Sequence, residues 1–163
     1  METPEELIPV LGTESLIVGV GNVLRGDDAF GSLLAQRLTD KLTIKVMDTG
    51  SAPENYLGKI VKEGPRVVLL IDAVDFGALP GQMRLFDLRI CSTRSVFFTH
   101  SLAPDFLNSF LQQASGARAY LLAVQPASLG LGDPLSPALS EGLDILENWF
   151  LAHYASLLNE AGK

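Results

Sequence analysis

The stretch "RVVLLIDAV", residues 66–74, constrains the fold more than any other part of the chain. Its five consecutive apolar residues, Val67 to Ile71, lack the apolar–polar alternation of a half-exposed strand. A strand of that kind is buried on both faces, as in a parallel sheet sandwiched between helices. A second run, "ESLIVGVGN" (14–22), has the same character and ends in glycine and asparagine. Between the two the period becomes helical: Phe30, Leu33, Leu34, Leu38 and Leu42 share one face of the segment 27–42. Residues 43–50 read as a short second strand reaching Asp48, and 52–64 as a short helix closed by Gly64. Residues 81–90 alternate as an edge strand does. Residues 102–115 carry Leu102, Phe106, Phe110 and Leu111 at helical spacing, and 117–126 form another apolar strand. A last helix over 137–158 turns Leu139, Leu143, Leu146, Phe150 and Leu157 inward. This alternation predicts one α/β domain over residues 1–163, built as a three-layer α/β/α sandwich. The sheet is mostly parallel and twisted, with helices on both faces.

Composition narrows the function classes. A chain of 163 residues is the size of one domain, and 47% hydrophobic content supplies a sizeable core. The net charge is −7 and no Lys/Arg run stands out, which argues against a nucleic-acid partner. Cys91 is the single cysteine, so no internal disulfide forms. The segment "METPEELIPVLG" has no secretory pattern, and no run approaches the roughly 18 apolar residues of a membrane span. The expectation is a cytoplasmic protein with no membrane partner.

The chemistry concentrates at the ends of the predicted strands, where doubly wound sheets place their sites. In "GNVLRGDDAFG" (21–31) a glycine-rich turn runs into Asp27 and Asp28. Gly19 and Gly21 match the first two glycines of a dinucleotide fingerprint, and Asp48 stands where a ribose-binding acid would, but Leu24 replaces the third glycine. Two carboxylates at the helix start would also repel a pyrophosphate. A helix N-cap explains one aspartate and leaves its neighbour unexplained. Asp72 ends the apolar strand, where an ionised group is costly unless paired or bound to a cation. Asp75 reads as a solvated loop residue. His100, in "FFTHSL", stands where an apolar stretch meets a helix that Ser101 can cap, whereas His153 reads as a surface residue. Asp28, Asp72 and His100 can converge at one sheet edge as a three-ligand site with open positions for a divalent metal. A serine-hydrolase reading has no G-x-S-x-G elbow to stand on, and Cys91 has no partner the sequence identifies.

The ordered set "GVGNVLRGDDAFG", "DTGSAPENY", "LLIDAVDFGALPGQMRLFD", "FTHSLAP" and "AVQP" resembles the nickel–iron hydrogenase maturation endopeptidases over residues 16–150. The resemblance is greatest to the type that processes the large subunit of formate-hydrogenlyase-associated hydrogenases. Ala29 stands where many members have glycine. The resemblance implies an endopeptidase that removes a C-terminal extension from the hydrogenase large-subunit precursor after nickel insertion. It implies Asp28, Asp72 and His100 as catalytic, metal-contacting residues, and Asp48 and Gly50 as substrate-recognising ones. The nickel would be borne by the substrate, no organic cofactor would be needed, and the enzyme would work as a monomer. The alternative from another class is a nucleotide- or metal-binding module of similar architecture without peptidase activity.

Overall fold

A computed structural model describes residues 4–90 and 104–155. Five strands form one sheet in the order β2-β1-β3-β5-β4. They are β1 (Ser15–Gly19), β2 (Lys45–Asp48), β3 (Val67–Ala73), β4 (Met83–Asp87) and β5 (Arg118–Val124). The pairs β1–β2, β1–β3 and β3–β5 are parallel, and β4 runs antiparallel to β5 along one edge. The α-helices of the described residues are α1 (Phe30–Leu38), α2 (Leu57–Lys62), α3 (Pro104–Ser115) and α4 (Pro137–Tyr154). The mostly parallel α/β architecture read from the sequence is present.

The missing alternation in β1 and β3 has a direct cause. Ile17, Leu69, Ile71, Leu122 and Val124 pack on one face of the sheet with Phe30, Leu34 and Leu38 of α1 and Leu139, Leu143 and Phe150 of α4. Leu16, Val18, Val68, Leu70 and Leu121 pack on the other face with Ile60 of α2 and Leu107 and Leu111 of α3. Every strand position therefore meets a core, whichever way its side chain points.

Three local expectations need correction. The helix expected over 27–42 divides into a 3-10 turn, Gly26–Ala29, and α1, which ends at Leu38 because Asp40 takes a left-handed φ of 62°. Leu42 is still buried, through a bridge to Ala155 rather than through the helix face. That bridge also ends α4 at Tyr154, since Ala155 leaves helical geometry at ψ 138°. In α3 the buried face is Leu107 and Leu111, and Phe106 is exposed, stacking on Phe110 at 6.3 Å. Leu102 and Leu157 lie outside the described residues.

The contact that sets the layers is between α1 and the carboxyl ends of β1 and β3. A Cβ on Gly31 would stand 2.0 Å from the Ile71 carbonyl oxygen and 2.3 Å from that of Val20. A Cβ on Gly19 would stand 2.2 Å from the Gly31 carbonyl oxygen. Only hydrogen at both positions lets the helix start lie directly on the sheet backbone. Gly31→Ala is expected to cost about 3 kcal/mol or more, because backbone atoms must move. Gly58→Ala in α2 meets nothing within 4 Å and is expected to stabilise by about 0.5–1 kcal/mol through helix propensity. Denaturant midpoints of the two variants check this, and equal midpoints would refute the close-packing account.

At the opposite edge, Asp87 of β4 accepts hydrogen bonds from Arg89 Nη2 (2.7 Å) and Nε (3.1 Å), with Arg118 Nη2 at 3.5 Å. The Arg89 hydrogen bond above all holds the Asp87 carboxyl down to about 2. A carboxyl with a depressed folded-state pKa stabilises the fold above its unfolded value, about 3.9, and loses that contribution as pH falls towards 2. Because the arginines are well exposed, the contribution is expected to be about 0.5–1 kcal/mol. Asp87→Asn should therefore lower stability at pH 7 and flatten the acid limb between pH 4 and 2. An unchanged acid limb, measured by urea titration across that range, would remove the ion pair from the account.

Candidate active site

β1 leads through α1 to β2 on one side, while β3 lies on the other side of β1. The connection reverses direction there, and the crevice outside the carboxyl ends of such strands is where doubly wound sheets bind ligands. Register places the residues of interest. Gly19, the last paired residue of β1, faces Ile71, so Asp72 stands one residue beyond the end of β1. The Val20 amide reaches back to the Ile71 carbonyl at 2.9 Å. The 3-10 turn carrying Asp28 continues from β1 and contacts β3. Asp28 and Asp72 thus close the two strands that flank the reversal, at 4% and 5% exposure. Burying carboxylates at a strand edge is costly, and such groups mark sites where charge is used.

In the pleat Asp72 shares the face of Val68, Leu70 and Val74, the side that α3 covers. His100 precedes α3 in sequence and lies outside the described residues, as do Cys91 and Ser101. Among the described residues no group of three His, Cys, Asp or Glu side chains could hold a metal ion.

The glycine turn is not built for phosphate. A phosphate cradle needs free backbone N–H groups, and here those groups are already used. The Gly21 amide donates to the Gly50 carbonyl (2.9 Å) and the Asn22 amide to the Asp28 carbonyl (3.0 Å). The Gly26 amide donates to Asp133 (3.1 Å), Asp27 to Ser128 (2.9 Å) and Asp28 to Arg25 (3.0 Å). Gly21 is needed because a Cβ there would lie 2.1 Å from the Asp28 carbonyl oxygen. The turn folds back on itself and presents an acid.

Asp27 answers the question of the paired aspartates in a way the sequence did not reveal. The Asp27 side chain turns away from the start of α1 to the loop after β5. The Asp27 carboxylate, fully buried, accepts from the amides of Ala127 (2.7 Å), Ser128 (3.2 Å) and Ser136 (2.7 Å). It fastens the loop between β5 and α4 to the turn that holds Asp28. The partners lie about a hundred residues away in sequence, so no local pattern shows them.

The other recognised positions have definite places. Asp48 ends β2, where Oδ1 accepts from Ser32 Oγ (2.8 Å) and the Gly50 amide (3.0 Å) and Oδ2 from Gln36 Nε2 (2.8 Å). A ribose hydroxyl would have to displace these partners. Gly50 takes a φ of 56°, and its carbonyl holds the Gly21 amide. Gln125, just past β5 and 7% exposed, was not singled out by the sequence. Its Oε1 accepts from the Phe76 and Ala78 amides (2.9 and 3.1 Å), and its Nε2 donates to Asp75 Oδ1 (3.0 Å). It organises the loop that follows Asp72. That Gln125 hydrogen bond also holds the exposed Asp75 carboxyl below its usual range. His153 is exposed, as expected, and stacks on Trp149 at 4.4 Å.

The fold defines a doubly wound α/β protein that carries the nearly buried acids Asp28 and Asp72 at the carboxyl edge of its sheet. The family described as hydrogenase maturation protease matches residues 29–152. The hydrogenase 3 maturation protease of Escherichia coli (strain K12) is 31% identical over 140 residues, covering 82% of this chain and 89% of that one. The crystal structure of the NiFe-hydrogenase maturation protease HycI from Thermococcus kodakarensis KOD1 superposes with a TM-score of 0.77 at 31% identity, covering 86% of this chain and 91% of that one. The solution structure of the endopeptidase HycI from Escherichia coli gives 0.72 at 27% identity, covering 88% and 96%. The chain belongs to the hydrogenase maturation protease family, and its chemistry is peptide-bond hydrolysis in hydrogenase maturation. The nucleotide-binding alternative is not favoured.

Asp27→Ala would leave three backbone amides without their acceptor. It is expected to cost about 3 kcal/mol and to speed hydrogen exchange at Ala127, Ser128 and Ser136. Unchanged exchange at those amides would show that Asp27 does not hold the loop.

Proposed function

We propose that the chain is the endopeptidase that removes the C-terminal extension of a nickel–iron hydrogenase large-subunit precursor after nickel has been inserted. One observation carries the reading: two nearly buried aspartates, Asp28 and Asp72, close the strands that flank the reversal of the sheet. We assign the chemistry of a hydrogenase maturation protease to these two groups. His100 completes the set in this reading. Two carboxylates and an imidazole accept nickel and leave coordination positions open. The nickel belongs to the substrate, held by the precursor's own ligands, and the three side chains touch it from the enzyme side. That contact places the scissile bond. The attacking water loses a proton to a carboxylate, its oxygen bonds to the carbonyl carbon, the C–N bond breaks, and the proton passes to the leaving amine. The turn of Asp48 and Gly50, fixed to the start of β1's loop through the Gly21 amide, borders this crevice and receives the precursor next to the cut. The enzyme acts as a monomer in the cytoplasm and uses no organic cofactor. Among the described residues no helix is long and apolar enough to cross a membrane.

Asp28→Asn and Asp72→Asn keep side-chain volume and remove charge. Each is expected to slow processing by about a hundredfold or more, with a melting temperature within about 5 °C of the parent. Precursor and product masses are read from the same preparations used for melting. Normal processing by either variant would place that carboxylate outside the site.

A further inference from the structure

Three large apolar side chains stand in solvent on the two loops joined at Asp27: Val23 (53% exposed), Leu24 (65%) and Leu131 (76%). Scattered exposed leucines need no explanation, but a group on one rigid feature does. The loops are locked together by backbone. The Gly132 amide donates to the Leu24 carbonyl at 2.8 Å, which brings the residue after Leu131 against Leu24. The Gly26 amide donates to the Asp133 carbonyl at 3.1 Å, and Arg25 Nη2 to the Leu129 carbonyl at 3.2 Å. The Asp27 carboxylate closes the base of the pair. The result is a preformed ridge on the same turn as Asp28.

We propose that this ridge is a docking surface for the folded body of the large-subunit precursor, with Leu24 and Leu131 as its apolar anchors. The inference rests on the assignment of the active site to Asp28 and Asp72. A substrate that reaches Asp28 comes close to the ridge, because only three residues separate Leu24 from Asp28 along a turn held by its own hydrogen bonds. The exposed side chains lie outside the crevice, so they meet a partner that extends beyond the cut, as a folded protein does and a short peptide bound at the cut does not. Charge does not supply the attraction. The chain carries a net −7, and Arg25, the cation of this turn, is tied to Leu129. A locked ridge needs little further ordering on association, so its apolar contacts convert efficiently into affinity.

The test is a Leu24→Ser, Leu131→Ser double variant assayed with the nickel-loaded large-subunit precursor of the source organism. The expected result is an apparent KM raised about tenfold or more, with kcat at saturation within about twofold of the parent. The melting temperature should be unchanged, because both side chains are exposed. A synthetic peptide of the C-terminal extension should bind parent and variant equally. A parental KM would overturn the proposal. So would an equal loss of affinity for the peptide, which would make the extension the occupant. Asp28→Asn is run in parallel. If it turns over normally, the active-site assignment fails in kcat, while the docking result is read independently in KM.

Discussion

The approach of α1 to the sheet governs the rest of the molecule. Gly31 lies against the carbonyls of Ile71 and Val20, and Gly19 lies beneath Gly31. With side chains at either position the helix would stand off by ångströms, and the turn before it would lift away from β3. That turn holds Asp28, and the residue after Ile71 is Asp72. The close contact therefore does two things at once. It seals the core beneath Phe30 and Leu34, and it brings an acid from the β1 turn to the end of β3.

The same turn looks like a nucleotide loop in sequence and does something else in space. Its amides are consumed by Gly50, Asp28, Arg25, Ser128 and Asp133. What remains at the crevice is a pair of nearly buried carboxyl groups, Asp28 and Asp72. Asp27 and Gln125 are the supports of this arrangement. One fastens the loop after β5, the other the loop after β3, and both use the carboxyl edge of the sheet as their base.

Those elements governed by burial were legible in the sequence. The unbroken run Val67–Ile71 announced a strand covered on both sides, and the alternation of 81–90 announced an edge strand, which is β4. The glycines and acids of 21–31 stood out because their chemistry is local, and the turn they form lies against β3. The failures have a common cause. The end of α1 depends on Asp40 in a left-handed conformation and on a bridge from Leu42 to Ala155. The role of Asp27 depends on partners about a hundred residues away, and that of Gln125 on partners about fifty residues away. Periodicity carries no information about such pairings. In α3 two apolar stripes were available, and packing against the sheet selected Leu107 and Leu111 over Phe106. His100, the third member of the expected site, lies outside the described residues.

The central claim is that this acidic edge reads a nickel ion carried by the substrate. The direct test compares nickel-loaded and nickel-free large-subunit precursor, each incubated with enzyme first stripped by a chelator, and weighs the products. The account predicts that only the nickel-loaded precursor is cut. Equal cleavage of both would contradict it.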